Sequence, residues 1–266
     1  MPSRHFSQRP SRRSLRSMAS DEIQSNPVEQ FLTCIACGSA PEISVSGRED
    51  VVCSRCGVTW RIGACLYALH EGLGVGGAFG KMEPDLSRVG IGVSDDWRLA
   101  SLLASRFAYT NTFLHRFPYL DISDPPEILR DSLEFVICSD VLEHVMGDVQ
   151  VAMRGLLSIL RPGGFIVTSI PIAGPDHVEY FPGCRSYVEL GSSVEWTDNL
   201  GIVRRNDAPI YHGGQGQTLT FRQFTEDSFA KALEQAGFAN IRKPSRHPLT
   251  RPDADFSAGL LLAHRP

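Results

Sequence analysis

The sequence predicts an α/β fold: a doubly wound, mostly parallel sheet preceded by a small cysteine-bearing module. Three observations carry that prediction. Two C-x-x-C pairs, "CIAC" and "CSRC", fall close together near the start, and from about Leu86 short apolar strands alternate with amphipathic helices. The apolar run "LEFVICSD" then ends on an acid, as a central strand does where it opens onto a crevice. A chain of 266 residues, 42% hydrophobic and 21% charged, is long enough for one α/β domain and a small module. No stretch approaches the roughly 18 apolar residues of a membrane span, so no membrane partner is expected and the expected location is cytoplasmic.

Residues 1–30 come first. The opening MPSRHFSQRPSRRSLRS holds five arginines, five serines and no acid, which predicts a disordered tail. An organelle transit peptide has the same composition, and so does a start codon placed ahead of a true start at Met18. Without those seventeen residues, 21 basic residues face 30 acids, a formal charge of -9. Nucleic-acid affinity comes largely from neutralising phosphates, so this acidity argues against a general nucleic-acid binder.

Residues 31–62 carry Cys34, Cys37, Cys53 and Cys56, two pairs with fifteen residues between them. That spacing lets two tight knuckles present four thiolates to one Zn²⁺, a closed and therefore structural site. Gly38 and Gly57 follow each pair directly, where a knuckle backbone needs positive φ. Between them "EISVSGREDVV" reads as two short strands around Ser46-Gly47-Arg48, the outline of a zinc ribbon. Cys65, Cys138 and Cys184 read as ordinary buried residues. Residues 63–85, with "EGLGVGGAFGKMEP", read as a connector. The Gly-Lys pair there lacks the Ser or Thr of a phosphate-binding loop.

From 86 to 266 the pattern is strand, turn and helix. "LSRVGIGVSDDWRLASLLASRF" predicts a strand ending near Gly90, a turn containing Gly92, and a helix capped by Ser94. "AYTNTFL", "PYLDIS" and "LEFVICSD" read as the next three strands. Val149, Ala152, Met153, Leu156, Leu157 and Leu160 then form one continuous helical stripe, which "RPGG" stops before the strand "FIVTSIP". "TEDSFAKALEQAGF" predicts a last helix between Thr225 and Gly237, followed by strands "ANIRKP" and "FSAGLLLAH".

The order of a Gly-containing turn, an acid at the third strand, "SDVLEHV", "LRPGGFIVTSIP" and "LEQAGF" resembles the class I S-adenosylmethionine-dependent methyltransferases over residues 86 to 266. More narrowly, "GIGVSD", "YTNTFLH", "LDIS" and "HGGQG" behind zinc knuckles are similar to a subgroup of zinc-ribbon methyltransferases of the type 11-like kind. The resemblance implies a Rossmann-like fold and S-adenosylmethionine as cofactor. It also implies that Gly90 and Gly92 admit the methionine and ribose part of the cofactor, with Ser94 beginning the helix beneath it. Asp121 matches the position that accepts from the adenine amino group, and Asp140 is placed to face the ammonium or sulfonium end. The pattern departs from the family in three places. Arg88 stands where an acid is usual, Ser94 replaces a glycine, and the second strand lacks its ribose-binding acid, leaving Asn111, Thr112 or His115.

Methyl transfer needs alignment and, at oxygen, removal of a proton. Candidate bases are His144, His177 in "GPDHVEYFPG" and His212 in "YHGGQG". Glu143 and His144 also suit the exposed start of a helix. "SDVLEH" is not the Asn/Asp-Pro-Pro-aromatic motif common in amino-methylating enzymes of nucleic-acid bases. With the acidic body, this points to a small-molecule or glycan acceptor, methylated at oxygen. Two other readings stand beside it: an RNA methyltransferase that holds its substrate with the ribbon, and a scaffold that kept the fold without the activity.

Overall fold

The computed structural model describes residues 34–40, 43–44, 52–172, 174–214, 217–245 and 259–266. The expected tail at 1–30, the hairpin tip at 46–48, the end of "HGGQG" and the start of "FSAGLLLAH" lie outside the described residues.

Strands β1 (Ile43–Ser44) and β2 (Val52–Cys53) pair antiparallel between the two cysteine knuckles. Helix α1 (Trp60–Leu73) follows within a few residues of Cys56. The Thr59 hydroxyl accepts from the Ile62 N–H at 3.5 Å, and Gly74 closes the helix in the left-handed region, φ 63°. Where the sequence reads as a connector over 63–85, the chain thus forms a fourteen-residue helix. Leu66, Ala68 and Leu69 are fully buried, and each leucine removed from water stabilises by roughly 1.5–3 kcal/mol.

Next come β3 (Asp85–Val93), α2 (Trp97–Ala104), β4 (Phe107–Thr112), β5 (Leu133–Ser139), α3 (Val149–Ile159) and β6 (Leu160–Ser169). β3 continues through Gly90 and Gly92 to Val93, so no turn occurs at Gly92. The cap of α2 is Asp96, whose carboxylate accepts from the Arg98 N–H at 2.8 Å, in place of the expected Ser94. "PYLDIS" forms only a single parallel bridge, Phe113 to Tyr119. Asp121 interrupts it by accepting from the Ser123 N–H at 2.8 Å, which turns the chain, while Leu120 and Ile122 still reach the core. "RPGG" ends α3 as expected but lies inside β6 as an irregularity. The register with β5 shifts between Leu133↔Leu160 and Phe135↔Phe165.

An inserted region holds β7 (Val178–Glu179), β8 (Ser186–Leu190), β9 (Ser193–Thr197), β10 (Val203–Asn206), β11 (Tyr211–His212), β12 (Thr218–Leu219) and β13 (Arg222–Gln223). Its strands pair in small antiparallel sheets around Phe181, Val194, Trp196, Leu219 and Phe221. The chain ends with α4 (Glu226–Ala236), β14 (Ala239–Arg242) and β15 (Leu260–His264). Thr225 and Ser228 cap α4 reciprocally, and Gly237 stops it.

The central sheet has the order β14-β15-β6-β5-β3-β4. β4, β3, β5 and β6 run parallel, and β15 and β14 join antiparallel at one end. From β3 the chain winds outward to β4, then returns to β5 and winds the other way to β6. The direction therefore reverses between β3 and β5, where their carboxyl ends bound a crevice. Alternation sorts the sheet's two faces. Ile91, Val93, Val136, Cys138 and Ile166 pack with α3 and α4, while Phe135, Ile137, Phe165 and Val167 pack with α1, α2 and the cysteine knuckles.

Candidate functional site

The four cysteines of the first module converge. Cys34 Sγ lies 3.8 Å from Cys56 Sγ and Cys37 Sγ lies 3.8 Å from Cys53 Sγ, and all four sulfurs fall within 4.8 Å of one another. Four sulfurs bonded at ~2.3 Å to one tetrahedral ion stand about 3.8 Å apart. None is in a disulfide. Gly38 (φ 70°) and Gly57 (φ 69°) take the left-handed turn expected of them and donate back to the carbonyls of Cys34 and Cys53 at 2.7 and 2.8 Å. The set fits Zn²⁺ with no position left open.

The crevice is reached from the amino-terminal end of α1, the end that follows the second cysteine knuckle. Asp140 directly follows β5, has φ 54°, and donates its N–H to the Ser169 carbonyl at 2.9 Å. Ser94, just after β3, is also left-handed at φ 60° and donates its N–H to the Thr112 carbonyl at 2.8 Å. Both are non-glycine residues held in this costly region at the tips of neighbouring strands. The Asp140 carboxylate accepts from the Ser169 hydroxyl at 3.0 Å and from Arg61 Nη1 at 2.9 Å. Arg61 comes from the first turn of α1, which begins inside the segment that the sequence reads as the ribbon and runs on into the one that it reads as a connector; its cap Thr59 and stop Gly74 were the signals available.

Asp95 is buried beside Asp140's strand tip. Burial pushes its carboxyl up to about 7, against the opposing hydrogen bond that the Tyr109 hydroxyl donates to Oδ2. Among the described residues its Oδ1 has no hydrogen-bond partner. Asn111 is committed to the same loop: its side chain accepts from the Asp95 N–H and donates to the Asp95 carbonyl, both at 2.9 Å. Thr112 donates its hydroxyl to the Gly92 carbonyl at 2.8 Å.

Packing inside the sheet accounts for both glycines. A Cβ on Gly90 would stand 2.3 Å from the Phe135 ring, and one on Gly92 would stand 2.0 Å from Asp95 Oδ2 and 2.1 Å from the Tyr109 hydroxyl. The space is taken by side chains of this chain. Asp121 is exposed and engaged with its own turn.

The three histidines separate into two places. His144 and His212 meet, Nε2 to Nδ1 at 3.3 Å, whereas His177 stands 3.5 Å from Glu179 and against the Phe224 ring. Leu142–His144 form a single 3-10 turn, and Glu143 is not exposed there as a helix start suggests: its side chain is 4% exposed and points in beside both imidazoles. The turn is gripped by Arg222, 1% exposed. Its guanidinium donates to the carbonyls of Leu142 (2.9 Å), Val145 (2.7 Å) and Gly147 (2.6 Å) and pairs with Glu179 at 2.9 Å. Neither Glu143's burial nor Arg222's grip shows in the spacing of the sequence, because the partners lie about 75 residues apart.

No protein-family model matches the chain. Citrinin polyketide synthases of Monascus ruber and Monascus purpureus are 27% identical over 110 residues, which cover 40% of this chain and 4% of theirs. Among solved structures, 1,6-didemethyltoxoflavin-N1-methyltransferase of Burkholderia thailandensis, with S-adenosylhomocysteine bound, is 14% identical; the match covers 77% of this chain and 78% of that one, TM-score 0.43. The citrinin polyketide synthase CMeT domain is 15% identical over 81% of this chain and 55% of its own, TM-score 0.46. CalS10, an amino pentose methyltransferase from Micromonospora echinaspora with S-adenosylmethionine bound, is 15% identical over 79% and 93%, TM-score 0.43. These solved structures are class I S-adenosylmethionine-dependent methyltransferases.

Proposed function

We propose that this chain, whose mostly parallel sheet with helices on both faces is the Rossmann-like methyltransferase fold, moves a methyl group from S-adenosylmethionine to an oxygen of a small-molecule or glycan acceptor. The observation that carries the reading is the Arg61–Asp140 pair at the crevice where the sheet reverses direction. The cofactor's amino-acid end is a zwitterion, and a guanidinium beside a carboxylate complements it: Arg61 would hold the carboxylate and Asp140 the ammonium. Arg61 keeps 42% of its side chain exposed and Asp140 15%, so both can exchange partners with a ligand. Bound there, S-adenosylmethionine supplies an electrophilic methyl on a sulfonium. The acceptor oxygen would take the methyl as the carbon–sulfur bond breaks, leaving a neutral thioether, and the hydroxyl proton would leave to an imidazole or to water.

The acidic charge of the body and the absence of the Asn/Asp-Pro-Pro-aromatic motif support a small-molecule or glycan acceptor over a nucleic acid. Cys34, Cys37, Cys53 and Cys56 would hold a structural Zn²⁺. Gly90, Gly92 and Asn111 would shape the cofactor loop from within, and Asp121 would reach the adenine from its exposed turn.

Calorimetry with S-adenosylhomocysteine tests the reading. Asp140→Ala and Arg61→Ala should each weaken binding about 10-fold or more, the loss of roughly one charge-assisted hydrogen bond at ~1.5–3 kcal/mol. Absence of heat with folded, zinc-loaded wild-type protein would sink it.

A further inference from the structure

We propose that Glu143, His144 and His212 bind a divalent transition-metal ion, at a site separate from the four cysteines. Three facts converge on it. First, the donor atoms already form a small triangle: Glu143 Oε1 to His144 Nε2 is 3.5 Å, Glu143 Oε1 to His212 Nδ1 is 3.8 Å, and the two nitrogens are 3.3 Å apart. Bonds of ~2.1 Å to one tetrahedral ion set such edges at about 3.4 Å, and an octahedral ion sets them at about 3.0 Å. The triangle has the size of one face of the tetrahedron.

Second, among the described residues Glu143 is buried with no hydrogen-bond partner, only the two imidazoles at 3.5 and 3.8 Å. Both carboxylate oxygens are shielded from water and neither accepts a hydrogen bond. A buried carboxylate left this way is among the costlier arrangements a fold can hold, and it persists where something compensates it. A cation centred on the triangle satisfies the carboxylate and both imidazoles together.

Third, the imidazole is oriented for ligation. A carbonyl can only accept, so the Leu219 carbonyl, 2.8 Å from His144 Nδ1, takes the hydrogen on that nitrogen. Nε2 then turns its lone pair toward Glu143 and His212. A metal-bound histidine characteristically gives its other N–H to a carbonyl or carboxylate in this way. The surrounding backbone is fixed for the purpose. The Phe221 N–H donates to the Glu143 carbonyl at 2.8 Å, Arg222 holds the carbonyls on either side, and β11 pairs His212 with Thr218 next to Leu219.

Two nitrogens and one carboxylate oxygen suit Zn²⁺, Fe²⁺, Co²⁺ or Mn²⁺ and leave at least one position open, unlike the closed thiolate set. His212 keeps 30% of its side chain exposed, so the open position is reached from that side. The binding stands by itself; only the use of the ion rests on the methyltransferase reading. There, an acceptor hydroxyl on the ion would be held and made more acidic, its proton passing to water.

Cobalt titrated into protein whose cysteine site is filled with Zn²⁺ reads the site directly. One further equivalent of Co²⁺ per chain should bind, with visible d–d absorption and without a thiolate charge-transfer band. Glu143→Gln and His212→Ala should each weaken that binding at least 10-fold. His212→Ala, on a partly exposed hairpin, guards against a variant that fails to fold, which circular dichroism checks. No second equivalent, or equal binding by all three proteins, overturns the proposal. Calorimetry with S-adenosylhomocysteine on the same samples keeps the two ideas apart: cobalt binding without cofactor binding would sink the enzyme reading and leave the metal site standing.

Discussion

Asp95 shows at the residue scale how burial sets a measurable property. Its carboxyl titrates near 7 in the folded protein because burial disfavours the charge, against about 3.9 in an unfolded chain. Between those values the folded state holds a proton that the unfolded state has released. Stability therefore falls as pH rises through that window, and the full penalty is present above about pH 7. Asp95→Asn removes the titration. At pH 8 the variant should be more stable than wild type by on the order of 1–3 kcal/mol, and the two should converge toward pH 4, as urea midpoints at both values would show. Parallel pH profiles would contradict this account. The candidates that the sequence offers most readily are those whose chemistry is written in their spacing. The cysteine pairs needed only two knuckles, and Asp140 needed only the end of an apolar strand. Arg61 escaped notice because its partner lies 79 residues away, and Glu143 because a glutamate before a histidine looks like any solvated turn.

At the element scale, the alternation of strands and helices was legible wherever period and punctuation agreed, as in α3 with its stripe and α4 between Thr225 and Gly237. It failed where tertiary packing overrode local signals. Gly90 and Gly92 suggest a turn, yet they extend β3 because Phe135, Tyr109 and Asp95 need the room that side chains there would occupy. The glycines after Leu73 colour the whole of 63–85 as connector, while Trp60, Leu66 and Leu69 make most of it a buried helix. The 3-10 turn at Leu142–His144 depends on a single side chain from β13. Arg222→Met keeps the bulk and removes five donors, stranding three carbonyls, so it should cost roughly 3–5 kcal/mol in chemical denaturation. A loss below about 1 kcal/mol would show that water replaces the guanidinium without difficulty.

For the whole molecule, the sequence divides the chain into a ribbon at 31–62, a connector at 63–85 and a sheet domain from 86, and the packing joins the first of these to the last. Cys34, Ile35, Ala36, Cys53 and Val58 belong to the same apolar cluster as Leu66, Phe107, Phe135 and Phe165. Arg98, at the start of α2, donates to the Gly57 carbonyl at 2.6 Å and ties the second knuckle to the sheet's own helix layer. Stripping Zn²⁺ with a strong chelator should therefore lower the melting temperature of the entire chain. Each kcal/mol of metal-binding energy lost should lower it by about 2–4 °C, so a fall of several degrees is expected. Buried Trp60, between knuckle and crevice, reports the change by fluorescence. A separate early transition with the main one unmoved would mean that the two parts unfold independently.

Helix α1 has one more consequence, for anyone who trims the protein. Cutting the chain at residue 86, where the strand-and-helix pattern begins, discards the lid of one side of the sheet and bares its phenylalanines. The fragment would be an open-faced sandwich, sticky rather than minimal, and it would also lack the guanidinium that pairs with Asp140.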